Sequence, residues 1–117
     1  ECAFVVSGEG FTWETQDRAR DIAAAKAGWE EAKKFILNPE IGFILLDEIN
    51  IALRYDYLDI DEVVEFLLTK KPPMTHVVLT GRNAKEELIT AADLVTEMSL
   101  IKHPFRDGIK AQKGIEF

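Results

Sequence analysis

The stretch "GFILLDE", Gly42 to Glu48, decides how the rest of the chain reads. Four consecutive apolar residues, Phe43 to Leu46, run into two adjacent carboxylates, Asp47 and Glu48. A strand with one wet face alternates apolar and polar residues. An unbroken apolar run instead predicts a strand in a parallel sheet, covered on both faces. The acids then fall at its carboxyl end, where open α/β sheets place their ligands.

On the carboxyl side, "DIDEVVEFLLTK" opens with Asp59 three residues before Glu62, a capping-box spacing contributing about 1 kcal/mol, and Val63, Phe66 and Leu67 supply an apolar helix face. Pro72-Pro73 end that helix. "HVVLTGR", His76 to Arg82, predicts a second apolar strand, and Asn83 with Glu86 repeats the capping spacing before a helix around Leu88 and Ile89. "LVTEMSLI", Leu94 to Ile101, is expected to be a further strand. The tail from Lys102 has no clear periodicity and is expected to dock on the core as a surface segment.

On the amino side, Ile22, Ala25, Trp29, Ala32 and Ile36 recur at helical spacing, and Asn38-Pro39 stop the helix they predict. "CAFVV", Cys2 to Val6, reads as another strand covered on both faces, with Cys2 buried in it. Strands alternating with helices predict an α/β fold with a mostly parallel sheet, flanking helices and right-handed crossovers, in one domain over residues 1–117.

Composition bounds the function. A chain of 117 residues with 47% hydrophobic and 30% charged residues is globular in character. A formal net charge of -7 opposes nonspecific binding to nucleic acid or to an anionic membrane surface. No apolar run approaches the roughly 20 residues of a membrane span, and a soluble, cytoplasmic protein is expected. Cys2 is the single cysteine, and no Cys/His cluster has zinc-site spacing. The chain enters on a strand-like run at Glu1, as expected of the later portion of a longer protein.

An apolar strand ending in Asp47-Glu48 has the pattern of a Walker B strand, whose acid holds Mg²⁺ beside a nucleotide phosphate. The same pattern also arises where a buried strand simply reaches solvent. The usual partner motif, G-x-x-x-x-G-K-[S/T], is absent from these residues. Arg82, after Thr80-Gly81, suits a phosphate or a base, or is a solvated arginine near a helix start. Tyr55 and Tyr57 beside Arg54 line a pocket or, more commonly for such residues, close the core. His103 before Pro104 reads as a local hydrogen-bonding residue, and Lys110 and Lys113 as surface lysines. "GEGFTWET", Gly8 to Thr15, places Phe11 and Trp13 on a loop turned by glycines.

With "GFTWET", "LLDEINIALRYDYLDIDEV", "LTGR", "AADLVTEM", "KHPF" and "GIKAQKGIEF" in this order, the sequence resembles the ATP:corrinoid adenosyltransferases of the bacterial cobalamin pathway from about Gly10 to Phe117. The resemblance implies a P-loop NTPase-like (RecA-like) fold whose amino-terminal phosphate-loop part is not in these residues. It implies Mg²⁺ and ATP, with a reduced corrinoid whose Co(I) attacks the ribose C5′ and releases triphosphate. Phe11 and Trp13 match the aromatic pair that closes on the lower face of the corrinoid. Glu48 matches the Mg²⁺-binding acid, with Asp47 as its neighbour. Arg82 matches an arginine near the nucleotide, and Asn50 and Arg54, from the same matched block, are placed on that side without individual roles. A homodimer and a flavodoxin-like electron-donating reductase are the implied partners. The pattern departs at Arg106 and Asp107, where an acid and a small residue are expected, and at Asn83, where glycine is common. The alternatives are a catalytically inactive corrinoid-binding or dimerisation module of the same family, and a generic P-loop ATPase fragment.

Overall fold

Asp17 opens the first helix by accepting a hydrogen bond on its side chain from the Arg20 amide at 3.1 Å. In the computed structural model, which describes residues 2–7 and 17–111, this helix is α1, Arg18–Leu37. Trp29 and Ile36 on its apolar stripe are buried, as the spacing predicts. It stops where Asn38 turns extended and its Oδ1 accepts from the Glu40 amide at 2.9 Å, ahead of which Pro39 could not continue a helix. The amino-terminal segment crosses α1 at Gly28, where an added Cβ would lie 2.7 Å from the Cβ of Ser7.

Strand β1 (Phe43–Leu46) leads to α2 (Ile49–Arg54) and α3 (Ile60–Thr69), which cross over to β2 (His76–Leu79). The two strands pair in parallel, with Phe43 opposite His76 and Leu46 opposite Leu79. A short α4 (Glu86–Ala91) and a 3-10 turn (Pro104–Asp107) follow. Asp59 caps α3 as its spacing predicts, accepting from the Asp61 amide at 2.9 Å. Trp29, Ile36, Ile44, Leu53, Leu58, Val63 and Leu88 form one core cluster between the helices and the sheet. Trp29 and Phe66 meet edge to face within it, ring centres 5.4 Å apart.

The structure corrects several expectations. Among the described residues the helices cover one face of the sheet: Ile44 is buried, whereas Phe43, Leu45 and Val78 are exposed. Residues 2–7 lie outside any strand and Cys2 is exposed, so neither the expected strand nor its buried cysteine is seen. Leu94 to Ile101 is likewise exposed and irregular. Both segments carry β-prone residues, but a strand exists only through a ladder partner, and no described strand pairs with either. The described tail, residues 102–111, is exposed rather than docked. Asn83 does not cap α4. It adopts a left-handed conformation (φ 56°) in the preceding turn, a role asparagine tolerates, and α4 begins at Glu86 behind Lys85 without a side-chain cap. The six-residue helix α2 was not anticipated.

Candidate functional site

Parallel pairing in register brings the carboxyl ends of β1 and β2 to one edge, so the residues after Leu46 and Leu79 become neighbours. The Thr80 amide continues the ladder by donating to the Leu46 carbonyl at 3.2 Å. Its hydroxyl donates to Asp47 Oδ1 at 2.7 Å and accepts from the Glu48 amide at 3.0 Å. The Asn50 amide then reaches the Thr80 carbonyl at 3.4 Å. Four hydrogen bonds thus lock the turn after β1 to the turn after β2.

Both turns use unusual backbone. Glu48, which precedes α2, is left-handed at φ 59° and ψ 21°, a conformation costing a side-chain-bearing residue about 1–2 kcal/mol. Gly81 sits at φ 130°, and a Cβ there would meet the Asn50 Cβ at 2.8 Å. Strain retained at a strand edge beside exposed acids is the kind found at ligand sites. Asn50 is buried beneath this turn, with its Oδ1 unpartnered among the described residues.

The expected site residues separate into groups. Asp47 and Glu48 are both exposed at the edge, and Arg82 is exposed just past Gly81 on the same edge. Asn50 is brought to them but is buried against Gly81, so its contact is with the fold. Arg54 lies one turn further along α2 than Asn50. It ends α2, about 9 Å along the helix from Glu48, and its guanidinium lies 5.6 Å from the Tyr55 ring. Tyr55 stacks on Tyr57 at 5.8 Å, and Arg18 lies 5.2 Å over Tyr57, so this corner is an aromatic and cationic stack. Tyr57 is buried there, the core-closing role, and Tyr55 is exposed. His103 caps the 3-10 turn, its Nδ1 accepting from the Phe105 amide at 3.0 Å, as the local reading has it. Phe11, Trp13 and Lys113 lie outside the described residues.

Among the described residues no cluster of three or more His, Cys, Asp or Glu side chains gathers to cage a metal. Two exposed carboxylates at a strand end fit Mg²⁺ all the same, because this ion commonly takes one or two protein carboxylates and fills its shell with water and substrate phosphate oxygens. A cleft of about 370 Å³ lined by Ile22, Lys26 and residues 56–60 lies apart from this edge, and none of Asp47, Glu48, Thr80 or Arg82 lines it.

Sequence reading named Thr80 only as a strand end. Its signal is nevertheless present: it is the polar residue one step past β2, in register with the acid one step past β1.

The fold and edge define a small α/β protein with a parallel strand pair and an acid-ended first strand. Residues 2–117 match the family model described as ATP:corrinoid adenosyltransferase BtuR/CobO/CobP, and the chain belongs to that family. It is 70% identical over 99% of its length to a corrinoid adenosyltransferase of Sinorhizobium, covering 54% of that protein. It is 56% identical over its whole length to the Pseudomonas aeruginosa corrinoid adenosyltransferase, covering 57% of it, and 40% identical over 97% of its length to that of Escherichia coli, covering 58%. The chain therefore spans somewhat more than half the length of these curated relatives. No helix among the described residues is long and apolar enough to cross a membrane.

Proposed function

We propose that this chain is part of an enzyme that moves the 5′-deoxyadenosyl group of ATP onto the Co(I) of a corrinoid in adenosylcobalamin biosynthesis or salvage. In this reaction the cobalt electron pair forms the bond to C5′ while the C5′–O bond breaks, and triphosphate leaves with that bonding pair. Family membership supports the reaction class, and the observation that carries the assignment to this chain is the strand edge, where Thr80 ties together the turn bearing Asp47 and Glu48.

In this reading Glu48, with Asp47 beside it, holds Mg²⁺ against the triphosphate of ATP. Bound there, Mg²⁺ supplies charge that stabilises the departing phosphate oxygens. Arg82 sits on the same edge and offers a planar, permanently charged fork to a phosphate or the adenine. Asn50 acts from below, packed under Gly81, and Arg54, beside the Tyr55 ring, is placed on the nucleotide side without an individual role. Phe11 and Trp13 close an apolar wall on the lower face of the corrinoid and keep water and bases from the cobalt. The reading includes a RecA-like arrangement of the sheet within one domain, a homodimer, a flavodoxin-like electron donor and a cytoplasmic setting.

The test is adenosylation of Co(I) corrinoid by the full-length protein with Mg-ATP, followed by the spectral change on forming the cobalt–carbon bond. Wild-type turnover with loss of at least about a hundredfold in Glu48→Gln supports the reading. Turnover unchanged in Glu48→Gln removes Glu48 from the site.

A second reading is a corrinoid-binding or dimerisation module without turnover. Corrinoid binding that depends on Trp13, with no ATP binding by the full-length protein, would select it.

A further inference from the structure

A metal-side carboxylate works in the orientation its own partners give it, and losing such a partner typically costs about 10–100-fold in metal affinity or activity. Asp47 and Glu48 have an awkward geometry for that task. They are consecutive residues leaving a strand, and Glu48 must hold a left-handed backbone to begin α2. One side chain contacts both. The Thr80 hydroxyl has a single hydrogen, which it donates to Asp47 Oδ1 at 2.7 Å, and this leaves its lone pairs to accept the Glu48 N–H at 3.0 Å. These contacts bridge 33 and 32 positions of sequence, so they join two strands rather than decorate one turn. The bond to Asp47 has an ionised acceptor, the stronger class of hydrogen bond.

We infer that Thr80 is a positioning residue: one hydroxyl fixes Asp47 and the left-handed turn at Glu48 together, and so presents the acid pair for the nucleotide-bound metal. This rests on the reading of Asp47 and Glu48 as the metal-side acids. The two bonds have distinct consequences. Holding Asp47 by one oxygen leaves its other oxygen for water or metal. Holding the Glu48 amide keeps the turn from relaxing toward an ordinary backbone that would re-aim its carboxylate. The Thr80 carbonyl, by taking the Asn50 amide, ties the start of α2 to the same point.

The test is calorimetric titration of ATP into full-length protein at a series of free Mg²⁺ concentrations, comparing wild type, Thr80→Val and Thr80→Ser, with thermal melts alongside. Valine keeps the shape of threonine without the hydroxyl, and serine keeps the hydroxyl without the methyl. The Mg²⁺ concentration giving half-maximal ATP binding should rise at least tenfold in Thr80→Val, within the range usual for an outer partner of a metal ligand, and stay within about threefold of wild type in Thr80→Ser. Should Thr80→Val fail to fold, Thr80→Ala takes its place with the same expectation. Wild-type Mg²⁺ dependence in the hydroxyl-free variant overturns the inference alone. Equal loss in Thr80→Ser overturns it too, since packing of the methyl would then be the cause. Wild-type ATP binding indifferent to Mg²⁺ overturns the metal reading, and this inference with it.

Discussion

A side chain at Gly81 would place its Cβ 2.8 Å from the Cβ of Asn50, closer than real Cβ atoms approach. Asn50 is buried and belongs to the first turn of α2, so it has little room to yield. Gly81 also sits at φ 130°, where side-chain-bearing residues are strained. Gly81→Ala should therefore cost about 2–4 kcal/mol, combining backbone strain with overpacking. Urea denaturation measures it. Adding Asn50→Ser would not relieve the Cβ contact itself but would free the amide 3.3 Å from the same point, so the double variant should recover only part of the loss. Full stability in Gly81→Ala would mean that the two turns are not interlocked as described.

Asn83 tests a competition between two local rules. Its spacing to Glu86 reads as a cap, yet the structure uses it as a left-handed turn residue at φ 56°. A cap loses about 1 kcal/mol on mutation to either alanine or, to a smaller extent, glycine, whereas a left-handed residue loses only with alanine. Asn83→Gly should leave the unfolding midpoint unchanged or raise it, and Asn83→Ala should lower stability by about 1 kcal/mol. A measurable loss in Asn83→Gly, smaller than that in Asn83→Ala, would restore the capping role.

These residues also show which parts of the molecule were legible in the sequence. The α1 stripe, the Asp59 cap and the strands Phe43–Leu46 and His76–Leu79 were readable because each signal lies within one element. Cys2 to Val6 and Leu94 to Ile101 carry the same apolar, β-prone character, but a strand is completed by a neighbour in the sheet, and that information is not local. Asp47 and Glu48 were found as acids ending a strand. The hydroxyl that ties them together stands 33 residues from Asp47 and becomes visible only once the strands are paired. The roles of Phe11 and Trp13 rest on the family resemblance, since these residues lie outside those described.

Lys33 gives a pH dependence with a defined sign. Its ammonium lies 2.6 Å from Glu30 and 3.8 Å from Glu62, and sits about 6 Å over the rings of Trp29 and Phe66. The hydrogen bond to Glu30 raises its pKa above the ordinary 10.5, with coulombic help from both carboxylates and against partial desolvation. A lysine whose pKa is raised in the folded state contributes stability fully below its unfolded value and loses that contribution as pH climbs through the folded value. The difference in unfolding free energy between wild type and Lys33→Met should hold steady through neutral pH and shrink only above the ordinary lysine value. A difference that shrank between pH 5 and 8 would assign the effect to some other group. Raising the salt concentration at neutral pH should reduce the difference as well, because the pair reaches solvent.

Glu48 separates stability from function. Its left-handed backbone costs about 1–2 kcal/mol for any residue with a Cβ, and glycine escapes that cost while adding about 0.5–1 kcal/mol of unfolded-state entropy to overcome. Glu48→Gly should therefore be about 0.5–1 kcal/mol more stable than wild type in denaturant unfolding, whereas Glu48→Ala, which keeps the strain, should not gain. Both substitutions remove the carboxylate, so both should lose Mg²⁺-dependent ATP binding in the full-length protein. Retaining glutamate in a conformation that glycine would relax is expected where a carboxylate is needed at that point more than the stability is, the trade common at functional sites. If Glu48→Gly is no more stable than Glu48→Ala, the left-handed turn carries no strain. If either variant binds Mg-ATP as wild type does, Glu48 is a solvated residue at the strand terminus and the metal is held without it.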